Sequence, residues 1–294
     1  MAVELQGRRC LRYAGALIAL WLLPSPAMAQ PEPPALTAGY EAAYDRFHYF
    51  FENPSTFDTP DLIPHNFKQT YWGDNQWMFV SGRYRIAGQL METTVAATPS
   101  RETRGDDVDT FFLPGGDVAT SGTSGRVDMR SWRIRQDATL GSTRGFTWHA
   151  GYQYRRDRQE FHARQIKTVT HTRPPSSDTF PIDGAETTIS EVHEARFGVS
   201  RRWTMHSWRL AARVDAAPTT YARLTTILPI KYPGREIVFA APVLTINPTV
   251  TIGVGEKWPI AIAISTTRTF SYTSSRQFDR RAASVSFSLG HRLQ

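Results

Sequence analysis

From Phe146 to Arg155 every second residue is apolar: Phe146, Trp148, Ala150, Tyr152 and Tyr154 alternate with Thr147, His149, Gly151, Gln153 and Arg155. Successive side chains of an extended chain point to opposite faces, so a period of two gives a ribbon with one oily and one polar face. The pattern returns at Trp208, Leu210, Ala212, Val214 and Ala216 against Arg209, Ala211, Arg213 and Asp215. It returns again at Ala283, Val285, Phe287 and Leu289 against Ser284, Ser286, Ser288 and Gly290. Trp132, Ile134, Ala138 and Leu140 oppose Arg133, Arg135, Asp137 and Thr139 in the same way. So do Leu244, Ile246, Val250 and Ile252, and then Ile260, Ile262 and Ile264, against small or polar neighbours. A chain that repeats this pattern is all-β.

The first residues read differently. Arg8, Arg9 and Arg12 precede the apolar run Ala14–Leu23, and Pro24, Ser25 and Pro26 end it just before Ala27-Met28-Ala29. A basic start, a short apolar stretch and an A-x-A site form an export leader, with cleavage expected after Ala29. The expected organisation is a signal peptide over 1–29, a proline-rich periplasmic lead-in over 30–37, and one β-domain over 38–294. The single cysteine, Cys10, falls in the leader, so the exported chain has no disulfide framework and no cysteine-ligated metal. No later apolar run approaches the ~20 residues of a transmembrane helix.

Two all-β architectures alternate in this way. A soluble sandwich packs its oily face into a core, whereas a membrane barrel turns it to lipid and keeps the polar face in the lumen. Short connections near 81–84, 140–145, 202–207 and 254–258 alternate with long ones near 53–70, 99–126, 165–188, 221–236 and 271–280. Phe146, Trp148, Trp203, Trp208 and Trp258 gather beside the short turns, where an interfacial aromatic girdle belongs. The expected fold is an antiparallel up-and-down transmembrane β-barrel of about ten strands in the bacterial outer membrane. Those strands fall near 38–52, 70–81, 84–98, 127–140, 145–164, 189–201, 207–220, 237–252, 259–271 and 281–293. Several exceed the ~9–11 residues of a crossing, so the barrel should project beyond the membrane on its loop side.

This register sends Arg133, Arg135, Asp137, His149, Arg155, Glu194, Arg196, Arg209, Arg213 and Asp215 inward. A narrow barrel is filled by its own side chains, and charges that leave water need partners, so these should form a paired network. The chain carries 34 Lys+Arg against 27 Asp+Glu, yet the basic residues alternate with lipid-facing ones and would lie inside. Nucleic acid is therefore not an expected partner. The expected partners are outer-membrane lipid, lipopolysaccharide and the barrel-assembly machinery, with the barrel a monomer. Neither a cofactor nor a metal is expected.

Within the second long connection, Asp107 and Asp109 are two residues apart and point the same way on an extended chain. Paired carboxylates can hold a nucleophilic water, or ligate a hard cation such as calcium; a solvated acidic loop is the plain alternative.

Ten strands, a leader and a D-x-D beyond the third strand resemble the omptins, outer-membrane aspartyl-type endopeptidases. Ala150-Gly151-Tyr152-Gln153 leading to Phe161-His162-Ala163-Arg164 is similar to the omptin fifth strand. The resemblance implies that Asp107 and Asp109 match one catalytic pair and that an Asp-x-His pair faces them beyond the seventh strand. Residues 216–236 contain neither Asp nor His. The loop-side histidines are His162, His171 and His193, of which His171 is the candidate partner. The sequence thus favours a narrow, charge-lined, non-enzymatic outer-membrane barrel (structural, solute-passing or surface-binding). An omptin-like endopeptidase with an altered site at the extracellular mouth is the alternative.

Overall fold

The computed structural model describes residues 35–52, 65–161, 164–183, 186–227, 236–255 and 259–292. The expected leader, Trp258 and His162 lie outside these.

The described residues form twelve strands. They are β1 (Ala35–Glu52), β2 (His65–Ile86), β3 (Gln89–Phe112), β4 (Val118–Thr143), β5 (Phe146–Phe161) and β6 (Arg164–Thr172), then β7 (Pro175–Asp183), β8 (Thr187–Met205), β9 (Trp208–Ile227), β10 (Glu236–Val254), β11 (Ile260–Ser271) and β12 (Arg276–Arg292). Ten of them pair in sequence and close on themselves through β1–β12 and, with β8 beside β5, through β3–β4. The hairpin β6–β7 is extra: it extends the sheet from the upper half of β4, where Ala119 to Ser124 pair with Ile166 to His171. Every pairing is antiparallel, so the ten barrel strands form an up-and-down closed barrel.

Turn chemistry fixes the short ends. Ala87–Gly88 and Arg144–Gly145 have positive φ at both positions, the backbone that lets a two-residue hairpin follow the twist of its strands. The first short turn therefore falls at Ala87–Gly88 rather than near 81–84, because Ser81 to Ile86 continue the alternation of β2. The connection expected over 99–126 is mostly strand. β3 and β4 run to 24 and 26 residues and meet through a three-residue turn at Pro114–Gly116.

Outward faces near the short turns are apolar and exposed: Leu36 and Tyr40, Met78 and Val80, Ile262 and Ile264, Val285 and Phe287. In water so large an oily belt would be a liability; against acyl chains it is the required surface. Along β1 the polarity of the two faces then reverses. Near the short-turn end Tyr40 and Tyr44 point out while Glu41 and Asp45 point in; further along, Arg46 and His48 point out while Phe47, Tyr49 and Phe51 point in. Such a reversal is what a strand passing from lipid into water requires. Beyond it the outward face is polar and the barrel carries a hydrophobic core inside, built from Phe47, Tyr49, Phe51, Phe67, Tyr71, Val127, Met129, Phe161, Val192, Leu224 and Phe278 with smaller residues.

One seam is irregular. Pairing of β2 with β3 stops after Trp72↔Arg104 and resumes at Met78↔Ala97. Pro99, which has no N–H to donate, sits inside the break, and the Thr103 hydroxyl donates to the Trp72 carbonyl across it.

Candidate functional site

The lumen is built in layers. Within the lipid belt, β4, β5, β8 and β9 aim arginines and carboxylates at one another. Arg135 reaches Asp137 at 2.7 Å and Asp215 at 3.3 Å. Arg213 donates to both Asp215 oxygens at 2.9 Å and to Asp137 at 3.0 Å. Arg196 joins Asp215 at 3.1 Å and Glu194 at 3.3 Å, and Gln153 bonds Glu194 and accepts from Arg196. Asp137 and Asp215 thus each have more than one cationic donor, and Glu194 has Arg196 and the Gln153 amide, which offsets the cost of taking them out of water. Glycine makes the room: a Cβ at Gly151 would collide with Asp137 Oδ1, and one at Gly198 with Asp215 Oδ1.

A second cluster lies nearer the loop side. Arg155 donates to both oxygens of Asp157 at 2.8 Å and to Asp45 at 2.9 Å, and Arg280 donates to Asp45 at 2.9 and 2.6 Å. Arg133 pairs with Glu41. The indole of Trp77, 1% exposed, takes the guanidinium of Arg133 at 4.6 Å and that of Arg155 at 5.0 Å from its ring centre. His149 meets the Ser200 hydroxyl at 2.8 Å, and Arg209 donates to the Gly255 carbonyl at 2.7 Å.

Glu41, Asp45, Trp77, Asp157 and Arg280 belong to this interior and escape a reading of the sequence by faces. Asp45 was findable, since it continues the inward series Thr37, Gly39, Glu41, Ala43. The aromatic run Phe47 to Phe51 conceals that series by putting apolar residues on both faces.

Asp107 and Asp109 stand on β3, not in a loop, and both point into the barrel with 1% exposure. They lie opposite Gln69 and Phe67 on β2 and opposite Thr123 and Ser121 on β4, at the level of the aromatic core. The Tyr71 hydroxyl nearby is pushed well above its usual range, by burial first and also by the negative charge of Asp107. His171 is not brought to them. It sits on β6, on the far side of β4, two strand spacings or about 10 Å away. Its Nδ1 lies 2.8 Å from Asp117 Oδ2. His193 points outward and meets the Tyr152 hydroxyl at 2.6 Å. The seventh barrel strand, β9, presents Ala222, Leu224 and Thr226 inward, each at most 2% exposed, where the omptin resemblance would require Asp and His.

A closed antiparallel barrel with an oily belt outside and paired charges inside is the fold of the transmembrane β-barrels, the proteins of bacterial outer membranes. Its particular scaffold is the ten-stranded, omptin-like one. The outer membrane protease OmpT of Escherichia coli superposes with a TM-score of 0.60 at 8% identity, covering 91% of this chain and 99% of that one. The translocator domain of the autotransporter NalP of Neisseria meningitidis gives 0.33 at 10% identity, covering 99% and 95%. The COG4313 outer membrane channel of Pseudomonas putida F1 gives 0.32 at 7% identity, covering 92% and 100%. No protein-family model matches the chain, and no curated protein matches it. The likeness to OmpT establishes a shared fold.

Proposed function

We propose that the chain is exported to the bacterial outer membrane and acts there as a non-enzymatic, monomeric barrel whose lumen is closed on the loop side. Its work is then to anchor and present an extracellular sheet surface. The observation that carries this reading is the aromatic core from Phe47 to Phe278, which fills the half of the barrel where a cleft or an open channel would be. The ion-paired layer beneath it adds a second obstruction. Outer-membrane lipid and lipopolysaccharide are the surrounding partners. Trp132, Tyr152 and Tyr154 on the outer face, with Arg130 and Arg156 one step beyond, suit a headgroup boundary that carries phosphates.

Planar-bilayer recording tests the closure. Purified barrel inserted in a lipid bilayer should give no resolved conductance steps, and regular steps that scale with salt would overturn it.

A hydrolase reading draws support from one feature, the inward, adjacent placement of Asp107 and Asp109. The nearest sequence candidate, His171, is engaged by Asp117, and His193 points outward to Tyr152, so neither shares a proton with the pair as water activation would need. Cleavage of basic peptides that Asp107→Asn and Asp109→Asn both abolish would reinstate it.

A further inference from the structure

The lumen within the lipid belt is lopsided. β2 to β5, β8 and β9 send in long charged side chains, whereas β10 to β12 send in mostly Ser, Thr, Ala and Gly, with Arg280 and Arg292 at the two ends of β12. Between the two walls lies a cavity of about 520 Å³, reaching from the layer of Arg155 and Trp77 down to Gly290 and Arg292 at the short-turn end. It is large enough for a small organic solute.

Its charge is unbalanced. Ten arginines and five carboxylates line it. The two carboxylates behind it, Asp45 and Asp157, serve Arg155 and Arg280, and an excess of three arginines remains among the described residues. Arg209 faces the cavity with the Gly255 carbonyl as its partner. Arg213 stands four residues further along β9, Thr249 and Thr251 lie beside it on the neighbouring β10, and Ser284 and Ser286 on β12 add further hydroxyls to the lining. Low-dielectric lipid around a wet cavity focuses such a field, so the excess acts on whatever enters.

We infer that this cavity is a binding site for a small soluble oxyanion, a phosphate or carboxylate, entering from the short-turn end. Arg209 and Arg213 grip the anionic head and the hydroxyl wall takes its remaining oxygens. Guanidinium forks match both anions in geometry, and charge-assisted bonds are the strong ones. The site is independent of whether the loop side is sealed, and its failure is read by calorimetry rather than by conductance.

The full exported chain, folded in a non-ionic detergent free of phospholipid, is titrated separately with inorganic phosphate and with succinate, with ethanolamine as a cationic control. Saturable heat is expected for at least one anion and none for ethanolamine. Arg209→Gln should weaken binding about tenfold, the loss of one charge-assisted contact. Ser286→Phe, which fills the void, should remove it. Heat-modifiable migration of each variant verifies that the barrel is formed. A folded wild type that takes up neither anion overturns the inference. So does either variant binding as tightly as wild type, because the anion would then sit elsewhere.

Discussion

Arg155 and Asp45, 110 residues apart in the chain, meet at 2.9 Å in the middle of the lumen, both 2% exposed or less. Their contact ties β5 to β1 across the barrel, and Asp45 also takes Arg280 from β12. Removing one partner leaves the others buried without their counter-charge. Asp45→Ala should therefore cost about 3–5 kcal/mol, several times the loss from an exposed pair such as Arg158–Glu160. Urea unfolding of the barrel in micelles, followed by tryptophan fluorescence, measures the difference; equal midpoints for the two deletions would refute it.

Gly198→Ala tests the second layer. The added methyl meets Asp215 Oδ1, which is held in turn by Arg135, Arg196 and Arg213. The carboxylate cannot shift without loosening three ion pairs, so overpacking should cost ~1–3 kcal/mol. Gly82→Ala, with open space around the added atom, should stay close to wild type. Comparing the unfolding midpoints of the two variants separates crowding from any general effect of losing glycine.

A pH effect is expected at the rim. Asp117 accepts from the backbone N–H groups of Thr172 and Arg173 and from the Thr172 hydroxyl, and lies against His171, fastening the β6–β7 hairpin to the β3–β4 turn. The imidazole beside it and these donors hold its carboxyl well below the usual carboxylate range. A depressed carboxyl stabilises the folded form above its ordinary value of ~4 and loses that contribution as pH falls through the lowered one. Hydrogen exchange of residues 164–183 should stay slow at neutral pH and quicken well below pH 4, in contrast to the ten barrel strands. Asp117→Asn should quicken it at neutral pH.

How much of this was legible depended on which solvent each stretch of strand meets. Where a strand lies in lipid, alternation is clean and names both faces: Leu210 and Val214 out, Arg209, Arg213 and Asp215 in. Beyond the lipid the code inverts, and at the changeover apolar residues stand on both faces. Phe47 to Phe51 on β1 therefore read as noise, and Arg101 to Asp109 on β3 read as a polar loop. The barrel and its charged middle were thus visible, while the aromatic core and the strand setting of Asp107 and Asp109 were not. Partners such as Asp45 and Arg280 also depend on closure of the barrel, a long-range relation that local periodicity does not contain.

The inversion itself can be measured on one strand. Tyr40 and His48 both point outward from β1, and Phe47 points inward beside His48. If lipid ends between Tyr44 and Arg46, Tyr40→Arg places a charge against acyl chains at a cost of ~2–4 kcal/mol, depending on depth. His48→Arg places the same charge in water, where it should fall within about 0.5 kcal/mol of wild type. Phe47→Arg, one residue away, buries the charge among Tyr49, Tyr71 and Phe278, whose rings lie 5.2 to 6.5 Å from the Phe47 ring, and should be the most damaging of the three. A barrel whose oily face stayed outward along the whole strand would give the opposite order for Phe47 and His48. Folding yield into lipid vesicles, scored by heat-modifiable migration, ranks the three variants directly.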